Sequence, residues 1–321
     1  HTIVVPDAIL PPHDPDRELI IVVVGETVRA DHWGLNGYAR DTTPELRNIG
    51  VVNFPDFWSC GTSTAISVPC MFSDLGQARF NSTSASSRDN ALDILARAGV
   101  SVLWRDNNSS SKGVADRVGY QSFRSPPLNK ICGDGECRDE GMLDGLQEWI
   151  GQQKGDILIV LHQMGNHGPA YYKRYPKTFE RFTPVCTSSD LGTCTKEEIN
   201  NSYDNAILYT DYFLAKVIAL LKANDTTHET AMFYVSDHGE SLGEYGLYLH
   251  GAPVAFAPEA QRHVPAVMWF GDGLKPDIVM SDVPERSRRR WSHDNVFTTL
   301  LGFFEVHSSV YKPEMDILER T

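Results

Sequence analysis

The amino-acid sequence predicts an α/β fold, a mostly parallel central sheet with helices on both faces. Three apolar runs, residues 19–24, 156–161 and 232–235, have the length and composition of buried strands. Segments with helical patterns alternate with the strands, which favours a parallel sheet. The 321 residues, 41% of them hydrophobic, are enough for a large core. We expect one domain, because the sequence contains neither a repeat nor a low-complexity linker.

The first predicted strand, residues 19–24, is followed by a glycine and Glu26. In open α/β sheets ligands bind beyond the carboxyl ends of the strands, so Glu26 is a candidate site residue. The next residues predict a short helix or loop, and Asn36 with Gly37 is typical of a turn. Pro44 then lies at the start of a short helical segment.

The stretch CGTSTAISVPC, residues 60–70, predicts a turn that leads into a helix. Gly61 allows backbone angles that other residues rarely adopt, and Ser63 or Thr64 is typical of a helix N-cap. A hydroxyl at this place faces free N–H groups and the positive end of the helix dipole, so it can also meet phosphate. The simplest interpretation is a disulfide-closed turn with an ordinary N-cap.

Helices and strands continue to alternate through the middle of the chain. We predict a polar loop at residues 82–87, a helix at 89–98 that Ser87 caps, and a strand at 100–104. The polar stretch 105–113 follows the carboxyl end of that strand, on the presumed active-site side.

Two histidines accompany the next strand. Residues 141–153 look helical, and the strand at 156–161 ends at His162. The loop after it, residues 164–172, carries His167.

A long helix is the clearest single element of the C-terminal half. A capping box at Thr195 and Glu198 begins an amphipathic segment that runs to about Ala223. A later strand is expected at residues 264–270, followed by a final helix that Ser292 caps.

The apolar run at 232–235 leads directly into five polar or small residues: Ser236, Asp237, His238, Gly239 and Glu240. Asp, His and Glu side chains together with a hydroxyl are plausible zinc ligands. Because Glu26 also follows a buried strand, we expect it to share a site with Asp237 and His238. The simpler interpretation is a salt-linked strand end without metal.

Five motifs occur in order: VGET at 24–27, CGTSTAISVPC at 60–70, RDNNSSSKG at 105–113, HQMGNHGP at 162–169 and SDHGESLGE at 236–244. Through them the chain strongly resembles the soluble catalytic domain of the lipid A phosphoethanolamine transferases. That group includes the mobile colistin-resistance enzymes and belongs to the alkaline phosphatase superfamily. The resemblance extends from about Glu18 to the C-terminal region, and it implies an alkaline phosphatase-like (sulfatase-like) fold.

The resemblance implies a metal centre in which Glu26, Thr64, Asp237 and His238 surround one zinc ion. This set is chemically coherent, because two carboxylates neutralise the ion and an imidazole adds a nitrogen ligand. Metal contact would also activate the Thr64 hydroxyl, which alone is a weak nucleophile near neutral pH. The implied catalytic residues are Thr64, His167, Glu240 and His250.

The resemblance also implies three contacts to the phosphoethanolamine group: Asn108, Ser109 and Lys112. A lysine pairs with phosphate as a point charge. His167 and His250 would bind phosphate, act as acid or base, or hold a second zinc ion. Glu240 would recognise the ethanolamine ammonium or orient a ligand. Supporting or capping roles are the only ones expected for His32, His293 and Asp294.

The six cysteines fall into three close pairs: Cys60 with Cys70, Cys132 with Cys137, and Cys186 with Cys194. Sequence alone does not choose among the possible connectivities, although local pairing is simplest and the resemblance implies disulfides at such positions. Free thiols or a metal cluster are the alternatives, and the lack of a CxxC spacing argues against zinc–thiolate binding. Disulfides imply an oxidising compartment, here the bacterial periplasm.

Residues 1–17 are expected to be a linker or the edge of an expressed piece, and residues 18–321 the periplasmic catalytic domain. No signal peptide is evident, and the longest apolar run has about six residues, against ~20 needed to span a bilayer. The resemblance implies a membrane domain that normally precedes this chain in the inner membrane. We also expect a monomer.

The net charge of −13 argues against a nucleic acid partner. It also repels an anionic lipid surface, so attraction to lipid A would have to be local. One dense basic cluster could meet lipid phosphates, although a solvated loop is the simpler interpretation. Its members are Arg286, Arg288, Arg289 and Arg290.

The reaction implied by the resemblance has two steps. Thr64 attacks the phosphorus of phosphatidylethanolamine, releases diacylglycerol and retains phosphoethanolamine; a lipid A phosphate then attacks this intermediate. The product makes the outer leaflet less negative, so that polymyxins such as colistin bind less.

Two other functions compete with transfer. The nearest is a phosphatase, sulfatase or phosphodiesterase of the same superfamily, although the sulfatase signature C/S-x-P-x-R is missing around Pro69. The other is a non-catalytic, zinc-stabilised lipopolysaccharide-binding domain. Structural zinc sites are usually closed by Cys and His, so a shell that contains a threonine hydroxyl favours catalysis.

Overall fold

The structure is a computed structural model that describes residues 16–321. Most of the linker predicted at residues 1–17 lies outside the described residues. The strands of the described part are β1 (Glu18–Gly25), β2 (Val52–Asn53), β3 (Phe57–Trp58), β4 (Ser101–Asp106), β5 (Gly119–Ser122), β6 (Cys132–Gly133), β7 (Glu136–Cys137), β8 (Ile157–His162), β9 (Glu229–Ser236), β10 (Ser241–Leu242), β11 (Tyr248–Leu249), β12 (His263–Val264), β13 (Ala266–Phe270) and β14 (Trp291–Ser292). Its α-helices are α1 (Pro44–Ile49), α2 (Thr64–Met71), α3 (Gly76–Arg79), α4 (Ser82–Ser86), α5 (Ala91–Arg97), α6 (Leu146–Gln152), α7 (Lys196–Ala223), α8 (Glu259–Arg262), α9 (Val283–Ser287) and α10 (Val296–Phe303).

Seven strands form the central sheet in the order β2-β13-β9-β1-β8-β4-β5. The five strands from β9 to β5 are parallel, and β13 and β2 add an antiparallel edge. The predicted α/β class with a mostly parallel sheet is therefore confirmed. Because the parallel strands end at one edge, the residues that follow β1, β4, β8 and β9 meet there.

The central strand β1 is buried along its whole length and contributes to two cores. Its even-numbered side chains, Ile20 to Val24, pack in a cluster that includes residues of α5 and α10. Its odd-numbered side chains, Leu19 to Val23, pack with residues of α7 on the other face. Helices thus cover both faces of the sheet, as the continuous apolar run predicts.

The long helix α7 begins where the sequence places it. The Thr195 side chain accepts a hydrogen bond from the Glu198 N–H, and the Glu198 carboxylate accepts one from the Thr195 N–H. This reciprocal pair is the predicted capping box, which satisfies two helix-end donors. The helix then runs for 28 residues to Ala223.

Two helix starts differ from the prediction. Residues 82–87, expected to be a polar loop, contain the short helix α4, which Asn81 caps. Helix α5 is capped by Asn90 and not by Ser87, because Asn90 directly precedes the first helical residue and forms a capping box with Asp93. Several polar residues in succession offered possible caps, and only their distance from the helix decides between them.

Two other elements are interrupted. The helix expected at 141–153 is broken at Gly145, whose φ of 73° is left-handed, so that α6 begins only after it. The strand expected at 264–270 divides at Pro265, since a proline has no N–H for the ladder. The two resulting pieces pair with different strands, β12 with β3 and β13 with β9.

Three disulfides join cysteines that are close in the sequence: Cys60–Cys70, Cys132–Cys137 and Cys186–Cys194. The expected local pairing is therefore confirmed. Among residues 16–321, no helix combines the length and the apolar character that crossing a membrane requires.

Candidate active site

Thr64, the first residue of α2, directs its hydroxyl at two carboxylates. Its Oγ1 lies 2.9 Å from Glu26 Oε2 and 2.5 Å from Asp237 Oδ2. Ser63 holds the N-cap position but makes no side-chain capping bond. The interpretation of Thr64 as an ordinary N-cap is therefore wrong, because its oxygen faces the ends of β1 and β9 and not the helix N–H groups.

Parallel strand pairing explains why the two carboxylates meet. Gly25 of β1 lies in register with Ser236 of β9, so the next residues, Glu26 and Asp237, lie side by side. The backbone N–H of Thr27 donates to Asp237 Oδ1 at 3.1 Å and fixes that carboxylate. Both carboxylates are almost completely removed from solvent.

His238 completes a group of possible metal ligands. Its Nδ1 lies 2.7 Å from the carbonyl oxygen of Gly239, which can only accept, so Nδ1 carries the proton. Nε2 is buried without a hydrogen bond and lies 3.5 Å from an oxygen of Glu26 and 3.5 Å from an oxygen of Asp237. Ligand atoms of these three residues all lie within 4.8 Å of one another.

Glu26, Asp237 and His238 shift one another's pKa values. Burial and the charge of Glu26 raise the pKa of Asp237 to about 8. Burial also opposes ionisation of Glu26, but the close approach and positive charge of His238 outweigh this and hold the pKa of Glu26 well below its usual range. Burial disfavours a charged His238, yet the charge of Asp237 and the contact with Glu26 raise its pKa to about 10. A positive charge close to the two carboxylates favours their ionised forms.

His293 fastens the turn before α2 to the end of β9. The Cys60 N–H donates to His293 Nδ1 at 2.9 Å, and His293 Nε2 donates to the Ser236 carbonyl at 3.0 Å. Burial lowers the pKa of His293 to about 4, which keeps Nδ1 available as an acceptor. His293 thus has the supporting position expected of it, immediately behind Thr64 and Asp237.

Asn108 reaches the carboxylate of Glu26 from the end of β4. Its Nδ2 donates to Glu26 Oε2 at 3.1 Å and to the Gln163 carbonyl at 2.8 Å. The neighbouring Ser109 is exposed, and its hydroxyl donates to Asn108 Oδ1 at 2.9 Å. Two of the three predicted substrate contacts therefore lie at the site, one of them next to solvent.

Lys112 lies beside the helix that Thr64 begins. Its backbone is left-handed, with a φ of 54°, and its Nζ lies 3.4 Å from the Ser109 carbonyl. Together with Ala65 and Pro69 it lines a cavity of about 110 Å³. The lysine thus faces the residue next to Thr64, and the structure shows no contact between it and the carboxylates.

Glu240 is buried and holds His250. One carboxylate oxygen accepts from His250 Nδ1 at 2.8 Å, and the other accepts from the Tyr171 hydroxyl. The His250 ring lies 4.1 Å, centre to centre, from the ring of His238. With both oxygens engaged and no exposure, Glu240 is suited to orienting His250 and not to meeting an ammonium group directly.

His167 lies in a loop that passes close to both Glu26 and Glu240. A Cβ atom on Gly165 would lie 2.9 Å from the carbonyl oxygen of Glu26, and one on Gly168 would lie 2.9 Å from Glu240 Oε2. Glycine at both positions therefore allows the loop to approach Glu26 and Glu240 this closely. Burial lowers the pKa of His167, and its Nδ1 is buried without a hydrogen-bond partner.

The remaining predicted residues lie further out. His32 contacts Asp204, with 2.6 Å between Nδ1 and Oδ1. Asp294 accepts from the Gln77 N–H at 2.8 Å and so supports α3. Sequence reasoning assigned no role to three residues that hold the site together, although the first two lie in the motifs at 105–113 and 162–169: Asp106, His162 and Tyr171.

Comparison with known proteins places this site in a family. The family described as Sulfatase matches residues 18–306. The crystal structure of the soluble domain of lipooligosaccharide phosphoethanolamine transferase A from Neisseria meningitidis is 43% identical, with a TM-score of 0.95, and the match covers 99% of this chain and 97% of that one. The chain belongs to the sulfatase family, in its phosphoethanolamine transferase group.

Curated relatives agree with this placement. Phosphoethanolamine transferase EptA of Escherichia coli K12 is 45% identical over 306 residues, which cover 94% of this chain and 56% of EptA. Phosphatidylethanolamine transferase Mcr-1 of Escherichia coli is 49% identical over 302 residues, 92% of this chain and 55% of Mcr-1. The chain thus spans about half the length of the curated relatives it matches. The predicted resemblance and the sulfatase-like fold are confirmed.

Proposed function

We propose that this chain is the catalytic domain of a zinc-dependent phosphoethanolamine transferase, with phosphatidylethanolamine as donor and a lipid A phosphate as acceptor. The observation that carries the proposal is the Thr64 hydroxyl, held between Glu26 and Asp237 at the carboxyl ends of two parallel strands. Relatives named phosphoethanolamine transferases support the choice of transferred group.

The residues present fit a zinc ion. The Nε2 of His238 has no hydrogen-bond partner and faces both carboxylates, and a metal ion bound there would replace the proton that this nitrogen holds when the imidazole is charged. Glu26, Asp237, His238 and the Thr64 oxygen supply the N and O donors that zinc prefers, about four in number. A bound zinc ion would supply Lewis acidity, which lowers the pKa of a hydroxyl and neutralises phosphoryl charge. The buried Nδ1 of His167 and the accessible ring of His250 leave a second ion possible between those residues.

In the first step, Thr64 Oγ1 forms a bond to the donor phosphorus. Its proton passes to the ionised carboxylate of Asp237, whose Oδ2 accepts the Thr64 hydrogen bond at 2.5 Å. The bond between phosphorus and the glycerol oxygen breaks, and diacylglycerol leaves with a proton from His250 or His167. Phosphoethanolamine remains on Thr64 as a phosphothreonine-type ester.

In the second step, an oxygen of the lipid A phosphate attacks the same phosphorus, and its proton passes to the histidine that protonated diacylglycerol. The Thr64 oxygen leaves and recovers its proton, so that the enzyme returns to its starting state and lipid A carries a diphosphate-linked phosphoethanolamine. Asn108, Ser109 and Lys112 would hold the charged phosphoryl oxygens, since phosphoryl transfer depends on charge stabilisation. Glu240 would keep His250 oriented for proton transfer in both steps.

The cellular setting is part of the proposal. A longer relative from Neisseria meningitidis is described as an integral membrane protein; this chain covers 60% of it, at 43% identity and a TM-score of 0.96. By analogy we place this domain in the periplasm, attached to a membrane domain in the inner membrane. A phosphoethanolamine on lipid A would reduce the binding of polymyxins, including colistin.

Product analysis tests this function. The 321-residue chain is incubated with zinc, a short-chain phosphatidylethanolamine and soluble lipid A, beside Thr64→Ala and Ser63→Ala variants. We expect diacylglycerol and modified lipid A from the wild type and from Ser63→Ala, whose side chain caps nothing, and neither product from Thr64→Ala. Free phosphate or phosphoethanolamine without modified lipid A would identify a hydrolase. Full zinc occupancy without turnover would identify a binding domain.

A further inference from the structure

Exposed apolar side chains are concentrated in one segment. Among residues 16–321, nine large hydrophobic side chains are exposed, and five of them belong to residues 241–256, which we call the aromatic arm. Tyr245 is fully exposed, with a relative exposure of 102%, and Phe256 is 83% exposed. Soluble proteins rarely expose large apolar patches, and such patches mark interaction sites. The other three members are Leu247, Tyr248 and Val254.

Both ends of the first half of the arm are fixed in the active site. The strands β10 and β11 pair in an antiparallel hairpin with Tyr245 near its tip. Glu240 directly precedes this hairpin and His250 directly follows it, and the two side chains are hydrogen-bonded at 2.8 Å. The hairpin therefore extends outward from the catalytic residues themselves.

The second half of the arm is anchored to the turn that carries the nucleophile. The Gly251 N–H donates to the Thr62 carbonyl at 3.0 Å, and the Thr62 hydroxyl donates to the Ala252 carbonyl at 2.6 Å. Val254 and Phe256 follow this anchor. Ile66, a sixth exposed hydrophobic residue, lies one position beyond Ala65 on the same helix as Thr64. Exposed apolar side chains thus follow the anchor on Thr62 and also lie on the helix that Thr64 begins.

The arm carries almost no free charge. Residues 223–261 contain no lysine or arginine. Glu244 is paired with Arg29 at 2.8 Å, and the same guanidinium donates to the Glu240 carbonyl, which fastens the base of the hairpin. With a net charge of −13 on the whole chain, an anionic surface would be repelled and would find no cation here.

These properties match one kind of partner. Tyrosine and phenylalanine side chains favour the interface between lipid head groups and acyl chains, where an apolar ring and a polar hydroxyl are both satisfied. We propose that the aromatic arm docks this domain onto the interface of a zwitterionic phospholipid bilayer, with Tyr245 and Phe256 inserted. The arm would then hold Thr64 at the depth of the lipid phosphate. Docking deepens the proposed function, and it can be measured without turnover.

Sedimentation with phosphatidylcholine vesicles tests the docking directly. This lipid is zwitterionic and has no ethanolamine, so recognition of the donor head group does not contribute. We expect the wild-type chain to bind the vesicles. A Tyr245→Asn/Phe256→Ser variant should bind them with an affinity lower by about tenfold or more. Asparagine suits the left-handed φ of 56° at position 245, so the hairpin should keep its fold.

A matched control uses two exposed residues outside the arm, Leu128 and Ile131, which are 48% and 43% exposed. The Leu128→Ser/Ile131→Ser variant should bind like the wild type. Added phosphatidylglycerol should weaken binding. The proposal is overturned if the wild type does not bind phosphatidylcholine vesicles, as when another part of a longer chain covers the arm, if binding requires anionic lipid, or if both double variants bind alike.

A separate variant keeps the two proposals apart. Thr64→Ala should bind vesicles as well as the wild type does, since Thr64 is not part of the arm. Wild-type protein that binds vesicles without transferring phosphoethanolamine would reject the proposed function and leave the docking intact. Wild-type protein that transfers the group between soluble substrates without binding vesicles would reject the docking alone.

Discussion

Asp106 and His162 form a buried pair at the ends of β4 and β8, with 2.8 Å between Asp106 Oδ2 and His162 Nδ1. The other oxygen of Asp106 accepts from the N–H groups of Asn108 and Ser110, at 2.7 and 3.2 Å. Burial opposes charge on both residues, but their mutual hydrogen bond and attraction outweigh it, lowering the pKa of Asp106 and raising that of His162. An ion pair therefore sets the conformation of the loop that carries Asn108.

We predict that Asp106→Asn reduces kcat/KM for transfer about tenfold or more, because the Asn108 amide loses its fixed position beside Glu26. Loss of the charged acceptor should also lower the free energy of unfolding by ~1–3 kcal/mol. Steady-state kinetics and urea unfolding measure the two effects.

Asp316→Asn is the matched control for that variant. Asp316 is also buried and pairs with Arg320 at 2.9 Å, but it lies near the C-terminus. The Asp316→Asn variant should be less stable than the wild type, while its folded fraction keeps the wild-type kcat/KM. Equal losses of activity in both variants would mean that Asp106 has only a general structural role.

Removing the Cys60–Cys70 disulfide should impair both stability and catalysis. Closing a loop with a sequence separation of 10 contributes ~2–3 kcal/mol in the chain-entropy account. The same loop carries Thr64, so the double serine variant should also lose activity beyond its loss of folded protein. The Cys186–Cys194 bridge has a similar separation of 8 but lies outside the site. Its removal should cost similar stability and leave kcat unchanged, and activity assays at matched folded fraction compare the two.

The buried His293 should make the free energy of unfolding depend on pH in a specific way. Burial lowers its pKa to about 4, from 6.5 as the ordinary value. A depressed histidine pKa means that the unfolded chain binds the proton first, so this contribution to stability is present above pH 6.5 and is lost as the pH falls towards 4. The loss should reach about 3 kcal/mol.

A glutamine at this position can accept from the Cys60 N–H and donate to the Ser236 carbonyl without titrating. Urea unfolding of wild type and His293→Gln between pH 4 and 7.5 should therefore give curves that diverge in the acidic range. Parallel curves would show that His293 does not need to stay neutral in the folded state.

Metal content should depend on the two carboxylates beside Thr64. Purified wild-type protein should hold about one tightly bound zinc ion, and Glu26→Gln or Asp237→Asn should lose it. Glu229→Gln is the control, because Glu229 belongs to a second carboxylate group at the opposite end of the strand that leads to Asp237. Elemental analysis after dialysis measures the content. Zinc retained in the Glu26 and Asp237 variants, or lost only from Glu229→Gln, would contradict the assignment.

The sequence was informative wherever one local pattern decides the structure. The apolar runs before Glu26 and Asp237 predict both carboxylates at one edge of a parallel sheet, and register between β1 and β9 then brings them together. The capping box at Thr195 is equally local. The role of Thr64 as a metal ligand and nucleophile was inferred from the family resemblance, since a hydroxyl at a helix start is by itself typical of an ordinary cap.

Contacts between distant residues could not be predicted in this way. The bond between Cys60 and His293 joins positions 233 residues apart, and that between Tyr171 and Glu240 joins positions 69 apart. No periodicity links such residues, because the folded chain and not the local sequence brings them together. For the same reason the sequence does not decide whether Glu240 recognises an ammonium group or orients a ligand: its burial and both of its partners depend on tertiary packing.

The most direct test of the account is a search for the covalent intermediate on Thr64. Wild-type protein is incubated with zinc and phosphatidylethanolamine without an acceptor, and the tryptic peptide 48–79 is analysed by fragmentation mass spectrometry. We predict one phosphoethanolamine on Thr64 in the wild type and in Ser63→Ala, its removal when lipid A is added, and no adduct in Thr64→Ala. An adduct on another residue, or transfer by folded Thr64→Ala at the wild-type rate, would contradict the covalent mechanism.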